Sequence, residues 1–229
     1  MNLLVLTSSS LRHRALIWQL SQIANVNAVI EDSRPLEPMG ISQRVIRKEV
    51  ERVERSCFAL PDPWHPSGLI EFCGWQKLLP PDAWIDQADY IVVYGTSLIT
   101  DPLWSRIQRK TINLHAGWAP QYRGSHSNFW ALYDKRPEFV GLTIQKLDRK
   151  VDAGAIWNHV GIAPMADPFL YAMRAVQVGF EFLAQHLPPA WMRPVWMPQD
   201  ESQVIRCSTH AEYTEWVAHE FLEKYQIPA

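Results

Sequence analysis

TINLHAGWAPQYRGSHSNFWALYDKRPEFVGLTIQKLDRKVDAGAIWN, residues 111–158, is the stretch from which the rest of the chain can be read. It opens with a strand pattern, Thr111-Ile112-Asn113-Leu114-His115. Side chains alternate faces along a strand. Ile112 and Leu114 therefore point into packing, while Asn113 and His115 share the opposite face about 7 Å apart. A loop with Pro120, Tyr122, Arg123 and Gly124 follows. The apolar run Phe139 to Leu147 predicts a second strand, which leads into a turn carrying Asp148, Asp152 and Gly154. Asp152 is the best candidate for a carboxylate partner of His115.

These residue types suit one chemistry. Asn offers uncharged N–H donors to an oxyanion. His takes up and returns a proton near neutral pH. Asp orients the ring and stabilises its protonated form. No Ser or Cys nucleophile accompanies them, so a covalent acyl-enzyme is not implied. The set fits acyl transfer from a carried donor directly to an amine. An Asn-x-His pair alone is more often a satisfied buried histidine beside a strand-end asparagine, and the longer stretch is what changes the reading.

Asn113-Leu114-His115, Pro120-Gln121-Tyr122-Arg123-Gly124, Gly141-Leu142-Thr143 and Val151-Asp152-Ala153-Gly154 stand in an order and spacing that resembles the catalytic core of the formyltransferases that use 10-formyltetrahydrofolate. Relatives include glycinamide ribonucleotide formyltransferase, methionyl-tRNA formyltransferase and the sugar-nucleotide N-formyltransferases. The similarity extends from Met1 to about Met197. The resemblance implies that Asn113, His115 and Asp152 are the catalytic trio. It implies that a pterin sits on backbone at Thr96, Ser97 and Leu98 and in the loop of Lys150, Val151 and Asp152. It also places Tyr122, Arg123 and His126 around the acceptor. Many relatives carry Ser-Leu-Leu-Pro after the His, where this chain has Gly117-Trp118-Ala119-Pro120; some carry His in place of Gln145.

The chain has 229 residues, 47% apolar and 20% charged, with a net charge of -2. That composition fits a globular protein and favours neither nucleic acid nor an anionic membrane as a partner. Cys57, Cys73 and Cys207 are odd in number with no CxxC spacing, so neither a disulfide framework nor a zinc site is expected. The chain enters a strand pattern at once, without a signal peptide, and no apolar run approaches the roughly twenty residues a membrane helix needs. A cytoplasmic protein is the expectation, with no resident metal.

Asn2 to Leu6 is a continuous apolar run typical of a strand buried on both faces. Ser8-Ser9-Ser10 precede a helix from Leu11 to Ala24, where they serve as caps or, with Arg12 and Arg14, as an anion site. No GxGxxG follows the first strand, which speaks against hydride transfer. Asn27 to Glu31 reads as a strand, Glu37 to Gly40 as a turn, Ser42 to Cys57 as a helix, Leu60 to Ser67 as a loop and Leu69 to Leu79 as another helix. Asp89 to Tyr94 is a strand, Asp101 caps a helix to Gln108, and Ser125 to Tyr133 is a helical turn. Ala155 to Ala163 is a strand. Asp167-Pro168 starts a helix that Pro188 and Pro189 stop. A last helix carries Tyr213, Val217, Phe221 and Tyr225. The alternation predicts an open, mostly parallel, Rossmann-like α/β sheet with ligands at the carboxyl ends of its strands. Residues 1–198 form the catalytic domain in this reading, and residues 199–229 a C-terminal tail with one helix.

The expected function is N-formyl transfer from 10-formyltetrahydrofolate to a primary amine. Only about thirty residues follow Met197, where tRNA formyltransferases add a larger domain, and no Gly-rich phosphate loop follows the first strand. Both points favour an amine on a nucleotide-linked sugar. A small amine of a purine, siderophore or secondary-metabolite pathway is the alternative, followed by a folate-binding protein without catalysis and a metal-dependent hydrolase using His115, His126 and Asp152. A second copy of the chain is the candidate protein partner.

Overall fold

The run Asn2–Ser8 (β1) explains the architecture. From Leu3 onward every residue is buried, with Leu3 and Val5 in one apolar cluster and Leu4 and Leu6 in the other. A strand apolar on both faces must be covered on both, which is the condition of a parallel sheet between helical layers. The structure, a computed structural model, describes residues 1–31, 39–60, 66–72, 80–189, 192 and 194–228.

Along the chain the elements are β1, α1 (Leu11–Ser21), β2 (Asn25–Glu31), α2 (Ile41–Cys57), β3 (Gly68–Phe72), α3 (Asp82–Gln87), β4 (Tyr90–Tyr94), α4 (Leu103–Ile107) and β5 (Thr111–His115). Then come β6 (Tyr122–Gly124), α5 (Ser127–Tyr133), β7 (Leu142–Gln145), β8 (Ile156–Val160), α6 (Pro168–His186), β9 (Arg206–Ser208) and α7 (Glu215–Lys224). The main sheet runs β3-β2-β1-β4-β5-β7-β8. The strands from β3 to β5 are parallel, and β7 and β8 return antiparallel at one edge. This is the expected α/β fold. Ile112 and Leu114 of β5 join the larger cluster with α1, α2, α6 and α7, while α3 and α4 cover the other face through Ile85, Leu103 and Ile107.

Local chemistry sets the ends. Asp167 accepts from the N–H groups of Phe169 (2.9 Å) and Leu170 (3.0 Å), and Pro168 opens α6. This is the N-cap and proline start read from the sequence.

Four strands differ from expectation. Leu69 to Leu79 was expected to be helical, but Gly68–Phe72 is a strand paired in parallel with β2, and residues 73–79 lie outside the described residues. A short apolar run fits either state, and the open edge of β2 decides it. The expected strand 139–147 is shorter, because Pro137–Phe139 forms a 3-10 turn before β7 begins. Neither β6 nor β9 was expected. They pair with each other in parallel, Tyr122 with Arg206 and Gly124 with Ser208, so residues after 199 share a second sheet with the central stretch. Parts of the expected 37–40 turn and 60–67 loop also lie outside the described residues.

Candidate active site

β5 does what its alternation demands. Asn113 and His115 leave the sheet on the face opposite Ile112 and Leu114, and the turn between β7 and β8 brings Asp152 back over them. Asp152 Oδ2 lies 3.1 Å from His115 Nδ1, and Asn113 Nδ2 donates to Asp152 Oδ1 at 3.4 Å. Thus the side chains of Asn113 and His115 converge on one carboxylate. Asp152 collects further donors: the N–H of Gly124 to Oδ2 (2.9 Å) and Nε2 of Gln145 to Oδ1 (3.1 Å).

His115 is 6% exposed. Its second nitrogen, Nε2, lies 2.9 Å from the carbonyl oxygen of Tyr122. A carbonyl only accepts, so the proton of that bond is on Nε2. The ring is therefore held between two acceptors, the carboxylate on one side and a main-chain carbonyl on the other. The loop that supplies the carbonyl is pinned by Thr143, whose hydroxyl donates to Gly117 O (2.7 Å) and accepts from Ala119 N (3.0 Å). Trp118 stacks on His159 beside it, with ring centroids 4.6 Å apart. Gly124 needs to be glycine: its φ is +86°, and a Cβ there would overlap the carbonyl oxygen of Ser208. That conformation aims its N–H at Asp152.

The other sequence candidates are placed less simply. Thr96, Ser97 and Leu98 follow β4, as expected, but the N–H of Ser97 already donates to Glu31 Oε2 (2.9 Å). Leu98 and Val151 are 60% and 44% exposed, two bare apolar side chains, one in each stretch assigned to the donor. Lys150 is paired with Glu201. Tyr122 is buried, and its hydroxyl donates to Asp134 (3.2 Å); burial first, then Asp134, pushes that phenol up to about 12. Arg123 is 1% exposed and held by Gln199 and Glu201. His126 bonds His210 (2.9 Å) and stacks on Tyr213. A role for these three around an acceptor requires exchange of these contacts. Among the described residues no group of three or more His, Cys, Asp and Glu side chains is placed to hold a metal ion. No described helix is long and apolar enough to cross a membrane.

Sequence reasoning missed Gln145 and Gln199. Gln145 carries a signal, since register places it beside Asn113 on the same face. Gln199 lies in a polar segment 47 residues from Asp152, and nothing in the pattern points to it.

Residues 84–171 match the family model described as "Formyl transferase". That segment contains Asn113, His115 and Asp152. A methionyl-tRNA formyltransferase of Phocaeicola vulgatus is 35% identical over 81 residues, 35% of this chain; the match spans only 24% of that relative's length. In fold the chain is similar to a sugar N-formyltransferase from a Shewanella species, with a TM-score of 0.63, 15% identity, and coverage of 98% of this chain and 88% of that one. It is also similar to a 4-N formyltransferase from Francisella tularensis, with a TM-score of 0.59, 15% identity, and coverage of 92% and 77%. Its central segment is thus similar to the formyl transferase family, and its whole fold is like that of solved N-formyltransferases.

Proposed function

We propose that the protein transfers a formyl group from 10-formyltetrahydrofolate to a primary amine carried by a nucleotide-linked amino sugar. The observation that carries this reading is the meeting of Asn113 and His115 on the Asp152 carboxylate. The family match of residues 84–171 supports the donor, and the likeness in fold to a sugar N-formyltransferase supports the acceptor class.

The residues divide the work. As the amine nitrogen bonds to the formyl carbon, the formyl oxygen becomes an oxyanion. The Nδ2 group of Asn113 has two N–H bonds and offers Asp152 only one, a long one, so the other is available to that oxygen. The Nε2–H of His115 rests on the Tyr122 carbonyl. It gains by moving to the oxyanion, because an N–H bond to a charged acceptor is about twice as strong as one to a neutral acceptor. Asp152 steadies the ring throughout. Collapse then breaks the bond between the formyl carbon and N10 of the folate. The amine loses one proton and N10 gains one, both within reach of the His115–Asp152 pair. The exposed side chains of Leu98 and Val151 supply apolar surface for the flat pterin.

The test is a screen of amino sugar nucleotides and free amines with the formyl donor, read by mass spectrometry. A gain of one formyl group on a sugar nucleotide is the expected result. Transfer to free amines only would remove the sugar, and no transfer to any amine would defeat the reaction.

A further inference from the structure

Asp152 stands at one end of a line of polar side chains that begins at a buried cation. The guanidinium of Arg123 donates to Gln199 Oε1 from Nε (3.0 Å) and Nη2 (2.6 Å). Gln199 Nε2 faces Gln145 Oε1 (3.0 Å), the carbonyl of Asp152 (2.9 Å) and the carbonyl of Gly154 (2.7 Å). Gln145, wholly buried, gives its own Nε2–H to Asp152 Oδ1.

The direction of this line is forced. A guanidinium only donates and a main-chain carbonyl only accepts, so Gln199 has one tolerable amide orientation. That orientation presents an N–H to Gln145, which must answer with its oxygen and so turn its NH2 toward Asp152. A flipped Gln145 would set its oxygen against the carboxylate. Two amide dipoles are thereby aligned between a cation and an anion, an arrangement in which each bond polarises the next. The same Nε2 group, its two N–H bonds shared among three acceptors, also reaches the main-chain carbonyls on both sides of Ala153. This matters because Asp152 has a φ of +50°, in the left-handed region that side chains other than glycine rarely adopt. The neighbouring charges belong to the same segment and loop: Glu201 pairs with Arg123 (2.9 Å) and with Lys150.

We propose that Gln199, from the segment beyond the main sheet, is a positioning residue for Asp152. It holds the Asp152 turn and fixes the Gln145 amide, so that the carboxylate is presented to His115 in one orientation. This rests on Asp152 being the carboxylate of the formyl-transfer site. It gives the 199–201 segment a part in the chemistry beyond packing.

Gln199→Met keeps the length of the side chain and removes both of its hydrogen-bonding ends without adding charge. Two readings are made on the full chain: kcat and KM for both substrates, and the low-field imidazole N–H proton resonance of His115, recorded without substrate. The expected result is a fall in kcat of about 10- to 100-fold from lost orientation, with both KM values little changed. The His115 resonance should move upfield or broaden by exchange with solvent. Gln145→Met cuts the line one step later and should give the same pattern. The double variant should be no worse than the poorer single variant. Unchanged kcat with an unchanged resonance overturns the proposal. So does a change confined to KM, or failure of both variants to fold, since each makes Gln199 a structural clamp only. If Gln199→Met alone fails to fold, Gln145→Met decides by the same readings. A wild-type protein that transfers no formyl group but whose variants shift the resonance would defeat the reaction and support the positioning.

Discussion

In the proposed reaction His115 acts late. Its two nitrogens are engaged before any substrate arrives, Nδ1 by Asp152 and Nε2 by the Tyr122 carbonyl. The ring then has no bare donor in the ground state, and its Nε2–H finds a stronger acceptor only when an oxyanion forms. His115→Asn and Asp152→Asn should each lower turnover by about 10²–10³ while leaving donor affinity nearly unchanged, since the charge they meet develops only in the transition state. The double variant should lose little more than either single one, because the two act as a unit. Steady-state kinetics of the three variants, beside a folate binding assay, check this. Turnover within about threefold of wild type in either single variant, less than 1 kcal/mol in barrier, would remove the trio from the chemistry. Gly124 is a second residue on which the site turns. Gly124→Ala puts a Cβ against the Ser208 carbonyl at a φ of +86°. It should cost about 1–3 kcal/mol of stability by urea denaturation, in line with strain of this kind. Turnover should fall with it, because the Gly124 N–H is one of the donors to Asp152.

At the scale of elements, the C-terminal segment fastens to the core at places where the core is incomplete. The N-cap of α2 is Gly40, which has no side chain to cap it. The first-turn N–H groups of Ser42 and Gln43 are met instead by Glu215 from the start of α7, at 2.7 and 3.1 Å. A carboxylate there also complements the positive end of the helix. Glu215→Ala should therefore destabilise the protein by about 0.5–2 kcal/mol, the range of a lost N-cap, although residue 215 lies outside α2. Chemical denaturation measures it. A change within error would mean that water replaces the cap without cost. Phe221 on α7 is buried against Phe129 (4.6 Å between ring centroids), so the helix is also anchored by apolar contact.

For the whole molecule, the seam between the central stretch and the C-terminal segment should loosen in acid in two steps. The residue His126 is exposed as a whole, but packing of its ring on Tyr213 and His210 strips water from it, and with His210 beside it the His126 pKa falls from 6.5 to about 4. The unfolded chain then takes up that proton first, so stability falls as pH drops from 6.5 to about 4 and is level below that. Hydrogen bonds from Arg123 and Lys150 pull Glu201 from 4.5 down to about 2. A depressed carboxylate contributes fully above pH 4.5, and its share is lost as pH falls through about 2. Hydrogen exchange at Ser125, which donates to Ser208 O, and at Arg206, which donates to Gln121 O, reads the seam directly. After correction for intrinsic rates, protection should drop between pH 6.5 and 4, and His126→Phe should abolish that upper step. An upper step that survives in His126→Phe would place its origin elsewhere.

The sequence by itself determined β1, β2 and β4, whose apolar runs must be covered, and β5, whose apolar and polar side chains alternate. It also determined the start of α6, where Asp167 and Pro168 act on their own neighbours. Asn113 and His115 were legible together because alternation along one strand needs no partner. Asp152 was legible as a carboxylate in a turn, but its approach to His115 across 37 residues depends on how β7 and β8 return along β5. The tertiary structure alone decided β3, whose short apolar run becomes a strand only because β2 offers an unpaired edge. It alone decided the β6–β9 pair and the line from Arg123 through Gln199 and Gln145 to Asp152. Such contacts join residues far apart in the chain through single hydrogen bonds. No periodicity marks them, and only the closed fold brings donor and acceptor within reach.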